Sequence, residues 1–150
     1  MEQTTNIIKG GGFLIEDVEI DRVITPEDFT DEQKMIAQTT QDYVQTEVVP
    51  VIENLEHHEF EHSVRLLKKA GELGLLAADV PEEYEGLGLD KISSALIAEK
   101  MSPAGGFSIT HGAHVGIGSL PIVLFGNHEQ KTQYLPKLAS GELIAAYALT

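Results

Sequence analysis

Apolar residues recur at helical spacing through most of this chain, and the polar residues between them mark where each helix starts and stops. Up to about Ile24, glycines, acids and β-branched residues mix without a sustained period, which predicts an N-terminal extension over residues 1–28. The pattern changes at Phe29-Thr30-Asp31-Glu32-Gln33: Thr30 can cap, acids fill the first turn, and Gln33 stands where a capping box needs its partner. Ile36, Tyr43, Val44, Val48, Val51 and Leu55 then continue a helical stripe. Pro50 predicts a kink or break near Glu47, because its ring clashes with the preceding turn.

A second helix is predicted from Phe60 through Val64, Leu67, Ala70 and Leu73, with Lys68 and Lys69 on the opposite face and Gly74 ending it. The proline- and glycine-punctuated stretch Pro81 to Gly88 reads as a loop, and Asp90 as the cap of a third helix through Ile92, Ala95, Leu96 and Glu99. The fourth helix, roughly Ser108 to Phe125, is apolar around most of its circumference, which predicts a central position surrounded by neighbours. Gly126 stops it. Asn127 caps a fifth helix, Gln130 completes a second capping box, and Tyr134, Leu135 and Leu138 form the buried stripe until Gly141. These segments predict an all-α, antiparallel helical bundle over residues 29–142. Residues 143–150 read as an incipient strand, the start of a β domain. A strand without a partner is an aggregation hazard, so the natural chain is expected to continue into a sheet.

With 150 residues, of which 42% are apolar, the chain can bury one modest core. The absence of cysteine excludes disulfides, thiolate nucleophiles and cysteine-ligated metal sites, and agrees with a reducing compartment; cytoplasm is the expected location. A net charge of −14 repels phosphate backbones, so nucleic acid is not an expected partner. Phe107 to Phe125 carries no formal charge and is long enough to raise the question of a membrane span; its glycines, histidines and Pro121 favour a buried helix.

Little in the chain points to self-contained chemistry. His111 and His114 share a helix face and could ligate a metal, but no third ligand is near, so hydrogen-bonded histidines are the expected reading and no metal site is assigned. His57, His58 and His62 lie among acids in what reads as an exposed linker. There is no Gly-x-Ser-x-Gly elbow and no phosphate-cradling loop. Gly112, Ala113, Gly116 and Gly118 carry more information, because each glycine in a helix costs about 1 kcal/mol relative to alanine. Either another element packs closely against them, or they leave room for a ligand.

Several segments, in order, resemble the acyl-CoA dehydrogenases. They are Leu73-Gly74-Leu75-Leu76, the loop Pro81-Glu82-Glu83-Tyr84-Glu85-Gly86-Leu87-Gly88, and Gly126-Asn127-His128-Glu129-Gln130-Lys131, followed by the run Tyr134 to Glu142 and the terminal Ala146-Tyr147-Ala148-Leu149-Thr150. The resemblance covers about Thr30 to Thr150. Lys9-Gly10-Gly11-Gly12-Phe13-Leu14-Ile15 and Thr110-His111-Gly112-Ala113-His114 look most like the very-long-chain branch and its bacterial relatives.

The resemblance implies the N-terminal helical domain of an FAD-dependent oxidoreductase of fatty acid β-oxidation. In that chemistry a glutamate takes the α-proton of an acyl-CoA while the β-hydrogen leaves as hydride to flavin, giving the trans-2-enoyl-CoA. The family's base lies in its C-terminal domain, so no acid here is assigned that role. Tyr147, Leu149 and Thr150 match the opening of the family's flavin-binding motif, Tyr-x-Φ-Thr-Glu-Pro with Φ apolar; these residues alone are expected neither to retain FAD nor to be active. Ile109, Gly112, Ala113, Gly116 and Ile117 fall where relatives line the acyl tunnel, and the small size of Ala113 and its glycine neighbours implies a deep, long-chain tunnel. An electron-transfer flavoprotein is the implied acceptor, and the full-length protein is expected to be a homo-oligomer. An acyl-CoA oxidase of the same fold and a self-contained helical interaction module are the alternatives.

Overall fold

The computed structural model describes residues 11–19 and 23–149. Lys9, Gly10 and Thr150, which carry part of the resemblance, lie outside the described residues. Among the described residues the extension contributes two short 3-10 turns, Gly12–Leu14 and Pro26–Asp28.

The helical region starts where the cap predicts. Helix α1, Asp31–Tyr43, begins with the Thr30 hydroxyl accepting from the Gln33 amide (3.1 Å) while the Gln33 side chain accepts from the Thr30 amide (2.9 Å). Helices α2 (Ile52–Glu56), α3 (Phe60–Glu72) and α4 (Lys91–Met101) follow. Asp90 caps α4 through the Ser93 amide (2.8 Å), and its second carboxylate oxygen accepts from the Gln33 side-chain amide at 2.8 Å. One glutamine thus closes the cap of α1 and ties it to the cap of α4. The first and third predicted helices therefore start at the same end of the bundle, as alternating up-and-down helices must.

Prolines account for the irregular turns. Pro50 follows a π-helical turn, Val44–Val48, and sits in a 3-10 turn, Val49–Val51; Pro121 follows a longer π-helical stretch, His114–Ser119. A proline has no N–H to bond four residues back and its ring crowds that carbonyl, so the preceding turn widens. The break predicted near Glu47 is present. The fourth predicted helix is divided into α5 (Gly106–Ala113), the π-helical stretch and α6 (Leu120–Phe125), which the sequence pattern did not anticipate. The last helix, α7, His128–Ala139, has the expected Asn127–Gln130 capping box.

Two apolar clusters hold the helices. Tyr43, Val44, Val48, Leu66, Leu67, Met101 and Phe107 lie in one, and Val80, Tyr84, Leu135 and Leu138 in the other. The Gly71 face of α3 meets the chain just after α7, where a Cβ would collide with the Ser140 carbonyl. Gly71→Ala is therefore expected to lower stability by about 1–3 kcal/mol from overpacking, against the ~1 kcal/mol that alanine ordinarily adds to a helix. A shifted urea midpoint reads this out; a stabilised variant would mean that α3 has slack to move.

One expectation needs correction. The fourth helix is not enclosed: Ile109 is 75% exposed, Ile117 55% and Phe125 85%. Only the side carrying Phe107, His111, His114 and Ser119 is buried, so its all-round apolar character does not come from neighbours within the described residues. Residues 143–149 form no strand among the described residues, since a ladder needs a second segment to pair with. At 20 residues and mean hydropathy 1.3, Gly106–Phe125 is long and apolar enough to cross a membrane by length and composition alone. Its buried histidines instead bond to neighbouring segments of the bundle.

Candidate functional site

The fourth helix presents two different sides. Toward the bundle, Ser108, His111, Gly112 and Val115 face Leu75 and Leu76 of the loop after α3 and Ile97 and Met101 of α4, lining a largely apolar, half-open cavity of about 250 Å³ whose lining also includes Asp79 and Ser94. His111 is buried and its Nε2 lies 3.2 Å from the Leu75 carbonyl. Burial pushes the imidazole down to about 4, against a smaller upward pull from that carbonyl, so the ring is neutral at physiological pH.

The opposite side is open. Ile109 and Ile117 project outward, Ala113 and Gly116 are half-buried, and Gly112 sits exposed at the cavity mouth. A Cβ added at Gly112 or Gly116 would meet nothing within 4 Å, so these two glycines leave space. Gly118 is the reverse: a Cβ there would approach the Ala145 methyl to 2.5 Å. The glycines of this helix therefore serve both purposes left open by the sequence.

Ala145 reaches this helix because His114 holds it. His114 is fully buried; its Nε2 lies 3.0 Å from the Leu138 carbonyl, and its Nδ1 accepts from the Ala145 amide at 3.1 Å. A carbonyl can only accept and a backbone N–H can only donate, so both bonds require the neutral ring protonated on Nε2. Burial lowers its pKa, in keeping with that form. Both histidines of the pair are thus occupied by backbone groups and point at different elements. Beyond Ala145 the side chains of Tyr147 and Leu149 are exposed, and residues 146–149 make no backbone–backbone hydrogen bond among the described residues.

Ala145, two residues before Tyr147, thus meets the stretch of helix that carries the proposed acyl-lining residues, 31 positions after His114 in the sequence. The sequence pattern missed the cavity behind α5 and the His114 link, and neither leaves a local signal.

A sequence profile of the acyl-CoA dehydrogenase N-terminal domain matches residues 30–142. The chain belongs to the acyl-CoA dehydrogenase family. It is 72% identical, over 149 residues, to a probable acyl-CoA dehydrogenase of Bacillus subtilis (strain 168), covering 99% of this chain and 25% of that protein. Isovaleryl-CoA dehydrogenase of Solanum tuberosum is 37% identical over 124 residues, covering 81% of this chain and 30% of that one. The crystal structure of an acyl-CoA dehydrogenase complexed with FAD from Bacillus anthracis superposes with a TM-score of 0.91 at 72% identity, over 95% of this chain and 24% of that one. The chain therefore spans about a quarter of the length of these acyl-CoA dehydrogenases, and the matched region runs from the cap of α1 to just past Gly141.

Proposed function

We propose that this chain is the helical wall of an FAD-dependent acyl-CoA dehydrogenase that oxidises long-chain acyl-CoA to the trans-2-enoyl-CoA in fatty acid β-oxidation. The observation that carries the reading is the open side of the fourth helix, where Ile109, Ala113 and Ile117 offer apolar contact and Gly112 and Gly116 leave room for a ligand. An aliphatic tail laid along this side loses water without meeting a polar group that would need a partner.

In this reading residues 146–149 face the flavin: their backbone N–H and C=O groups are not used by other backbone groups among the described residues, and such groups can meet the donor and acceptor edge of a planar ring. The bound flavin supplies the hydride acceptor. In this reading Tyr147, Leu149 and Thr150 line the ring, while the carboxylate that takes the α-proton lies outside these 150 residues. The isolated chain is accordingly inactive and does not retain flavin. The exposed apolar side chains Leu124, Phe125 and Leu149 support a reading in which further protein covers this face. The proposal extends to an electron-transfer flavoprotein as acceptor, a homo-oligomeric holoenzyme and a cytoplasmic location.

Chain-length preference tests it. In the full-length protein, Ala113→Gln fills the open side with a polar group, and kcat/KM for the longest acyl-CoAs is expected to fall roughly tenfold or more relative to short ones. A chain-length profile that superimposes on that of the unsubstituted enzyme would count against this wall as the acyl site.

A further inference from the structure

We propose that His114 is a positioning residue that sets the flavin-facing segment against the acyl-facing helix; this rests on the functional reading above. Three observations carry it. His114 is fully buried, and its two ring nitrogens bond to two separate elements, the Leu138 carbonyl at the end of α7 and the Ala145 amide. Ala145 is the one residue of 143–149 that turns inward, and its methyl group lies against Gly118, where no side chain stands in the way. Finally, Leu143 bonds through its amide to the Lys137 carbonyl at 3.0 Å, so the segment is anchored first on α7 and then on His114 ahead of the exposed residues 146–149.

Among the described residues, no other backbone or side-chain hydrogen bond fixes 144–149. The place of Tyr147, two residues on, is therefore set by one imidazole whose backbone belongs to the helix carrying Ala113 and Gly116. A neutral, Nε2-protonated ring suits this role because it donates to one element and accepts from the other. Losing the acceptor leaves the Ala145 N–H facing a buried apolar group, which disfavours the docked segment and favours its release.

The test uses the full-length protein. His114→Leu keeps the bulk and removes both bonds. It is expected to weaken flavin binding about tenfold and, in flavin-free protein, to speed hydrogen exchange at the Ala145 and Tyr147 amides. His114→Asn, whose side-chain oxygen stands near the Nδ1 position, is expected to restore most of the affinity and the protection; His114→Gln, which reaches only toward Leu138, is expected not to. A folded His114→Leu protein with flavin affinity within about twofold of the parent and unchanged Ala145 exchange overturns the inference. If His114→Leu does not fold, the Asn and Gln variants decide: equal flavin affinity and equal exchange overturn it. Flavin binding by the unsubstituted protein, measured first, separates the two levels. If that protein binds no flavin, the functional reading fails and takes this inference with it, whereas normal flavin binding with an indifferent position 114 removes only the inference.

Discussion

Leu66→Ala is expected to lower the unfolding free energy by about 2–5 kcal/mol, the range for emptying a fully buried leucine site. Leu66 has no exposed surface, and it belongs to the cluster that joins α3 to Tyr43, Val44, Met101 and Phe107. The Tyr43 hydroxyl also donates to the Leu66 carbonyl at 2.8 Å, so the backbone at this position cannot shift to close the gap without breaking a buried hydrogen bond. That restraint places the loss toward the upper part of the range. Urea unfolding followed by circular dichroism measures it, and a loss below about 1 kcal/mol would mean that the cluster collapses around the smaller side chain.

Acid destabilisation should be the second large effect. His111 is held neutral by burial, with a native pKa of about 4 against an unfolded value of 6.5. Below pH 6.5 the unfolded chain therefore binds a proton that the native state refuses, and stability falls with pH. The contribution is complete at pH 7 and is lost as the pH drops from about 6.5 toward 4. Between pH 7 and 5 the expected loss from His111 alone is about 2 kcal/mol, since the slope approaches about 1.4 kcal/mol per pH unit once the unfolded imidazole is protonated. His114, shifted in the same direction by burial, adds to it. His111→Gln, which keeps a donor for the Leu75 carbonyl, should flatten part of the profile. Unfolding free energies that stay constant from pH 7 to 5 would contradict the assignment of neutral, buried imidazoles.

Much of the architecture was legible because it is written in local chemistry. The caps at Thr30, Asp90 and Asn127 and the glycine stops satisfy helix ends using residues within three or four positions, and all stand where the pattern predicts. Gly74 and Gly141 have positive φ, +76° and +75°, as helix-ending glycines do. The run at 109–118 could be singled out by its small residues. Its meaning could not, because a missing side chain is compatible with close packing and with empty space. Gly118 proved to be the first case, and Gly112 and Gly116 the second.

What the sequence by itself determined is where the helical stretches lie, their capped starts and the family, since each rests on contacts between near neighbours or on motifs read in order. Tertiary structure alone decided which side of the fourth helix is covered, that Gln33 reaches Asp90, and that His114 takes the Ala145 amide. These pairings join residues 31 to 57 positions apart, and one-dimensional periodicity carries no term for such distances. The hydrogen-bonding capacity of a buried side chain is fixed by its type, but its partner is whichever backbone group the packed helices bring within 3 Å.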